Sequence, residues 1–363
     1  MVRHSPNDPG YMAQRRHPVR NGRVLLAPDA FKGSASAREI ATAGVDAAIA
    51  SGWDAEACPL SDGGEGFADV LGVVGGDIVE SVVTGPSGRP VTARWRLAGD
   101  IAVIESAEAS GLALAGGADH NDAVAATSRG TGELVVEALR AGARKILVGV
   151  GGSACTDGGE GAVAAIEQAG GLQGSEVVVA CDVETRFLDA PAMFAPQKGA
   201  TAEQVIELQS RLERLLRRYR RIYGVDIAVM TGSGAAGGMA GGLAALGAEL
   251  VAGFDLVSRL VGLRDRLAVA DVVITGEGRL DATSWTGKVV GGVVRLAGEI
   301  GVPVLIVAGQ IAISKSAGWR GDLPGRVCLL GLADACGLDT AMTQPARCVA
   351  QLVEEWLRAH RRE

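Results

Sequence analysis

Residues 23–50 read RVLLAPDAFKGSASAREIATAGVDAAIA, and the rest of the fold can be worked out from this unit. Residues 24–26 are a short apolar run that predicts a strand, residues 28–33 carry proline and glycine, and from 36 to 50 apolar residues return at helical spacing. The same order recurs. A strand at 145–150 leads through glycines at 151–161 into a helix ending near 169, a strand at 225–230 leads into 232–238, and one at 272–275 leads into 276–278. Residues 303–308 read as a buried strand and 349–358 as a closing helix. Strand, loop and helix alternating in this way predict an α/β architecture with largely parallel sheets, whose ligands bind at the carboxyl ends of the strands.

At 363 residues, 48% of them hydrophobic and 21% charged, the chain divides more naturally into two domains than one. A net charge of −7 argues against nucleic acid or an anionic membrane as the main partner. The six cysteines form no C-x-x-C pair and read as reduced thiols of a cytosolic protein, not as a disulfide frame or zinc site. Of the four histidines, His4, His17 and His360 lie near the termini and His120 follows a Gly-Gly-Ala loop, which leaves little for a histidine-based triad or metal site. Residues 1–21 carry Arg3, Arg15, Arg16 and Arg20 without an apolar signal core, and read as a disordered basic leader. Residues 227–248 are uncharged, but their glycines and alanines contribute little transfer energy, so they read as buried protein and not a membrane span. Residues 202–219 carry an apolar helical stripe and a basic face of Arg211, Arg214, Arg217 and Arg218, read as solvated.

Glycine makes up 53 residues, about twice the usual share of about 7%, and concentrates in the loops. Glycine loops let backbone amides approach phosphate oxygens, or simply allow tight turns and close packing. The pentapeptide DGGEG occurs at 62–66 and again at 157–161, each time after an apolar run, which suits magnesium and phosphate together. Asp29, Lys32 and Ser34 follow the first strand; the lysine can neutralise a phosphate or carboxylate, and Ser34 can cap the next helix. Lys198 and Lys288 are the other lysines set in glycine loops. No Walker A sequence is present, since Ala282 stands where the first glycine is required and Val289 follows Lys288. GSGAAG at 232–237 matches G-x-G-x-x-G and raises a nicotinamide-dependent dehydrogenase as a rival reading, although Glu249 and Asp255 are poorly placed as its acidic partner.

Taken in order, APDAFKGS (27–34), SDGGEG (61–66), VTGPSGRPV (83–91), ATSRGTGEL (126–134), VGVGGSACTDGG (148–159), PQKGA (196–200), GSGAAGG (232–238) and ITGEGRLDATSWTGK (274–288) resemble the type I glycerate kinase family. The resemblance implies ATP-dependent, Mg²⁺-assisted phosphorylation of D-glycerate to 2-phosphoglycerate. It also implies two domains with the active site in the cleft: a flavodoxin-like three-layer domain from both chain ends (22–75 and 290–363) and an inserted α/β domain (76–289). The chain departs from the family pattern at Thr156, at Glu160, at Glu184, Thr185 and Arg186, and at residues 282–284.

On this reading Mg²⁺·ATP lies across the loops containing Gly151, Gly152, Ser153, Gly232, Gly234 and Gly237, with Glu277 beside it, and the acceptor carboxylate is held by Lys32. Asp62 or Asp157 accepts the hydroxyl proton or holds the metal, with Asp182 as a further magnesium ligand, and Asp281 completes the catalytic set. Asp29, Ser34, Glu65, Lys198 and Lys288 contact the substrate. The partners expected are a small hydroxy acid and ATP, with no nucleic acid and no membrane; a homo-oligomer stays open. A kinase of another hydroxy acid and a catalytically silent binding homologue are the remaining alternatives.

Overall fold

The computed structural model describes residues 22–181, 183–285, 287–312 and 327–360. The leader expected over 1–21 and the expected ligand Asp182 lie outside them.

Among the described residues, eleven strands form two sheets. In chain order they are β1 (Arg23–Leu26), β2 (Asp54–Ala57), β3 (Asp77–Thr84), β4 (Pro90–Ala98), β5 (Ile101–Glu105), β6 (Lys145–Gly149), β7 (Glu176–Cys181), β8 (Glu249–Ala252), β9 (Val272–Leu280), β10 (Val304–Ile311) and β11 (Val327–Gly331). The first sheet is parallel throughout, in the order β11-β10-β9-β1-β2. This is the flavodoxin-like arrangement, and its topological switch point lies between β1 and β9. The second sheet runs β3-β4-β5-β6-β7-β8, with β3 and β4 antiparallel and β5 to β8 parallel. The sequence reading placed 272–289 in the insertion, whereas β9 pairs with β1 and β10 and so returns to the first sheet before residue 290.

β1 is apolar on both faces because both are covered. The helices Ala37–Ala50 and Pro345–Ala359 pack on one face through Val24, Leu26, Ile40, Val349 and Val353. The helix Val289–Ile300 covers the other face through Leu25, Val273, Val293 and Ile306. The cap of the first helix is Ser36, not Ser34: Ser36 Oγ accepts from Glu39 N at 3.2 Å and Ser36 N donates back to the Glu39 carboxylate at 2.8 Å.

Two further sequence expectations change. Residues 225–230 form no strand; Gly224 ends the long helix Ala202–Tyr223 in the left-handed region, and the Asp226 carboxylate accepts from Ala228 N at 3.3 Å, which closes a 3-10 turn at Ile227–Val229. The basic face of that long helix is only partly solvated, because Arg211 and Arg218 reach the Glu160 carboxylate at 3.0 and 3.2 Å. Among the described residues no helix is long and apolar enough to cross a membrane.

The two sheets share one core. Val103, Leu147 and Val178 of the second sheet lie in the same cluster as Leu25, Val273 and Ile306 of the first, bridged by Phe67 and Leu71 and by Phe254 and Leu256 of the helix Gly253–Leu260. The 62–66 loop is clamped at this junction, backbone against backbone. A Cβ on Gly253 would stand 1.8 Å from the Asp62 carbonyl oxygen, and one on Gly151 would stand 2.4 Å from Gly64 Cα. Gly63 has φ +97°, and a Cβ there would meet the Ala180 carbonyl oxygen at 2.7 Å. Glu105, at the end of β5, ties down the same segment by accepting from Gly66 N at 3.1 Å and Ala68 N at 3.3 Å. Burial pushes its carboxyl up to about 7, helped by Glu108 and Asp69 and opposed by those two amides.

Replacing Gly253 by Ala is expected to lower stability by about 1–3 kcal/mol through overpacking and to shift the Asp62 loop, read as a lower denaturant midpoint together with lost turnover. Glu105 gives a pH signature. Its folded pKa lies above the usual carboxylate value, so the native state holds the extra proton and stability falls as pH rises from about 4.5 through about 7. Comparing Glu105→Gln with the unsubstituted protein in urea titrations should show a relative loss of about 3 kcal/mol between pH 5 and 8 that the variant lacks.

Candidate active site

The switch point builds the site from three strand ends. Backbone pairing continues past β1, with Asp29 N donating to Gly276 O at 2.9 Å, and past β2, with Leu60 N donating to Pro28 O at 2.9 Å. Asp29, Asp62 and Glu277 are thereby carried side by side to the carboxyl edge of the first sheet. They line a cleft of about 330 Å³ together with Lys32, Ser34, Arg279, Asp281 and Lys288. Gln310 from β10, and Ala341 and Met342 from the helix Leu338–Thr343, complete the lining.

Asp29, Asp62 and Glu277 are 5%, 2% and 8% exposed, so the cleft floor concentrates negative charge out of water. The Asp29 carboxyl is held well above the usual range, first by burial and then by the charge on Asp62, against the pull of Lys32 and the Ala30 amide. Burial likewise raises Glu277, with Ser284 and Lys288 working against it, and its Oε1 is buried without a hydrogen-bond partner. Asp281 is lowered, chiefly because Thr283 donates both its hydroxyl and its amide, at 2.7 and 2.8 Å.

A second cavity of about 490 Å³ opens over the ends of β7 and β8. Its walls include Cys181, Thr185, Thr231, Gly232 and Val251 from the insertion, and Thr283, Gly287 and Lys288 from the segment after β9. Lys288 lines both cavities and is the N-cap of the helix Val289–Ile300. The two cavities therefore share a lysine that stands at the N-terminus of a helix, an arrangement suited to phosphate.

Of the residues expected at the site, Asp29, Lys32, Ser34, Asp62, Glu277, Asp281 and Lys288 line the first cavity and Gly232 the second. Asp157 lies elsewhere. Its Oδ2 accepts from Ser128 N and Oγ, both at 2.8 Å, and from Gly161 N at 3.3 Å, while Oδ1 accepts from Gly159 N at 3.0 Å. That carboxylate is consumed in fixing the start of the helix Glu160–Gln168. Lys198 is buried in the insertion, donating to Ser153 Oγ at 2.9 Å and Cys155 O at 2.6 Å. Glu65 is exposed and lines neither cavity.

Three other glycines of the expected ATP cradle serve packing. Gly151 packs on Gly64, and a Cβ on Gly234 or Gly237 would meet the carbonyl oxygen of Arg186 or Cys155 at 2.3 or 2.2 Å. Gly152 and Ser153 line neither cavity. GSGAAG follows no strand, and Ala236 and Gly237 both have positive φ, which removes the strand-to-helix context a dinucleotide fingerprint needs. Arg279, Gln310 and Met342 were missed by the sequence reading. Arg279 stood inside a quoted motif, while Gln310 and Met342 lie in a segment with no chemical signature.

Residues 24–169 and 167–361 match the model of the glycerate kinase family. Glycerate 2-kinase of Escherichia coli (strain K12) is 37% identical over 331 residues, covering 80% of this chain and 85% of that protein. Glycerate kinase of Bacillus subtilis (strain 168) is 38% identical over 333 residues, covering 81% and 87%. The crystal structure of glycerate kinase 2 from Salmonella typhimurium LT2 superposes with a TM-score of 0.75 at 34% identity, over 93% of this chain and 98% of that one. With the switch-point site, the two-sheet architecture and these matches in agreement, the chain belongs to the glycerate kinase family and is an enzyme of the kinase class.

Proposed function

We propose that this chain is a type I glycerate kinase that transfers the γ-phosphoryl group of ATP to D-glycerate, giving 2-phosphoglycerate. The observation that carries the reading is the junction of the two cavities at Lys288, next to the carboxylate floor of the first. The larger cavity over β7 and β8 takes the nucleotide, with its phosphates toward Lys288 and the helix N-terminus behind it. The smaller one takes the acceptor.

Phosphoryl transfer requires in-line positioning and neutralisation of charge more than covalent chemistry. Asp62, buried in the acceptor cavity and clamped by its glycine neighbours, accepts the hydroxyl proton as the oxygen attacks. Lys32 and Lys288, which both line the acceptor cavity, neutralise charge on the transferred group.

The residues fit a magnesium ion. Glu277 offers a buried oxygen without a partner, and Mg²⁺ is bound through one or two carboxylates plus water and substrate phosphates. Among the described residues no group of three His, Cys, Asp or Glu is placed to hold a metal, so Glu277 with the phosphates is the set we assign, in place of Asp157. The ion supplies neutralisation of the phosphate oxygens. The six cysteines, all free thiols, suit a reducing cytosolic setting.

The test is ADP release by the purified protein with Mg²⁺·ATP, with and without D-glycerate and with a panel of other hydroxy acids. We expect release that depends on D-glycerate; release with another acceptor alone keeps the kinase and overturns the substrate. Asp62→Asn should lower kcat by about 10²-fold or more with the melting temperature unchanged. Asp157→Ala should instead cost about 1–3 kcal/mol of stability by orphaning buried amides, and a normal melting temperature in that variant would return Asp157 to the candidate catalytic set.

A further inference from the structure

The acceptor cavity holds three cations, and they are not equivalent. Lys32 acts on Asp29, and Lys288 on both Glu277 and Asp281, so both are drawn into the carboxylate floor. Arg279 stands apart. It is exposed, lines the cavity, and makes no hydrogen bond or ion pair among the described residues, although its charge helps to lower Asp281, whose carboxylate is already engaged by Thr283.

The sheet gives Arg279 a neighbour. Arg279 on β9 and Gln310 on β10 are register partners in a parallel pair, two residues beyond the partners Glu277 and Ala308. Side chains two residues apart on a strand share a face, and paired strands lie about 4.8 Å apart. The guanidinium and the amide therefore emerge side by side on the face that carries Glu277, and both line the cavity. Ala341 and the exposed Met342 add an apolar part to the lining of the same cavity.

A planar guanidinium with five donors matches a carboxylate through two parallel hydrogen bonds, which an ammonium cannot do. A glutamine amide both donates and accepts, as recognition of a neutral hydroxyl requires. We propose that Arg279 and Gln310 are the acceptor-recognition pair: Arg279 binds the carboxylate of the hydroxy acid, and Gln310 binds the hydroxyl that is not phosphorylated. The pair selects a short dihydroxy acid over a monohydroxy acid of the same length. This assignment rests on the glycerate kinase reading, and it moves carboxylate recognition from Lys32 to Arg279.

The experiment measures the Michaelis constants for ATP and acceptor separately, with D-glycerate, D-lactate and glycolate, in the unsubstituted protein and in Arg279→Ala, Arg279→Lys and Gln310→Ala. Calorimetric titration of D-glycerate into each protein accompanies the kinetics. Arg279→Ala should raise KM for D-glycerate by about 30-fold or more, and Arg279→Lys by less, since charge persists but the fork is lost. Added guanidinium ion should partly restore Arg279→Ala, with KM for ATP unchanged within about twofold. Gln310→Ala should lower kcat/KM for D-glycerate by about tenfold and leave that for D-lactate unchanged, collapsing the preference. The proposal is overturned if Arg279→Ala leaves KM for D-glycerate unchanged or raises KM for ATP equally, or if Gln310→Ala affects both acids alike. An unsubstituted protein that neither binds D-glycerate nor releases ADP with any acceptor would overturn the glycerate kinase reading, and the pair with it.

Discussion

The site depends on one packing constraint: the Asp62 loop lies flat against the carboxyl edge of the second sheet with no side chain between the two backbones. Gly253 meets the Asp62 carbonyl, Gly63 meets Ala180, and Gly151 meets Gly64. Each contact is closer than any Cβ allows, so the loop is located by what its neighbours lack. The shared apolar core of Phe67, Phe254 and Leu256 presses the two sheets together and keeps this contact closed. A residue that follows β2 of the first sheet is thus held by the second, and the cleft between the domains acquires a fixed floor.

That floor is electrostatically expensive. Burial above all, with the neighbouring carboxylates adding to it, raises Asp29 and Glu277 above their ordinary values, and Glu277 keeps a buried oxygen without a partner. A fold under selection for stability alone would place apolar residues there. Perturbed carboxylates beside lysines and an arginine, at the switch point of a parallel sheet, are what a cation and phosphate site requires.

The two copies of DGGEG show how far a motif can be read. Both follow strands and both begin with a buried aspartate. Asp62 accepts one local amide, from Gly64 at 3.1 Å, and faces a cavity, whereas Asp157 is saturated by Ser128 and two glycine amides. The difference lies in Ser128, a residue 29 positions away in sequence that no local pattern connects to Asp157. The departure at Glu160 has a similar account, since its carboxylate joins Arg211 and Arg218 across 51 and 58 positions.

Local order was legible in the chain: the strand, loop and helix alternation, the acidic and lysine-bearing loops after β1, β2 and β9, and the family resemblance followed from residues close in sequence. The run at 225–230 misled because β-branched residues describe a side chain's preference, while a strand also needs an edge to pair with. Tertiary structure alone decided which carboxylates share a site, that β9 belongs to the first sheet, that Gly151, Gly234 and Gly237 serve backbone packing, and that Arg279 stands beside Gln310. These are relations between strand ends brought together by sheet order and register. Hydrogen bonding between strands far apart in the chain sets that order, and such pairing leaves no trace in the spacing of residues along any one of them.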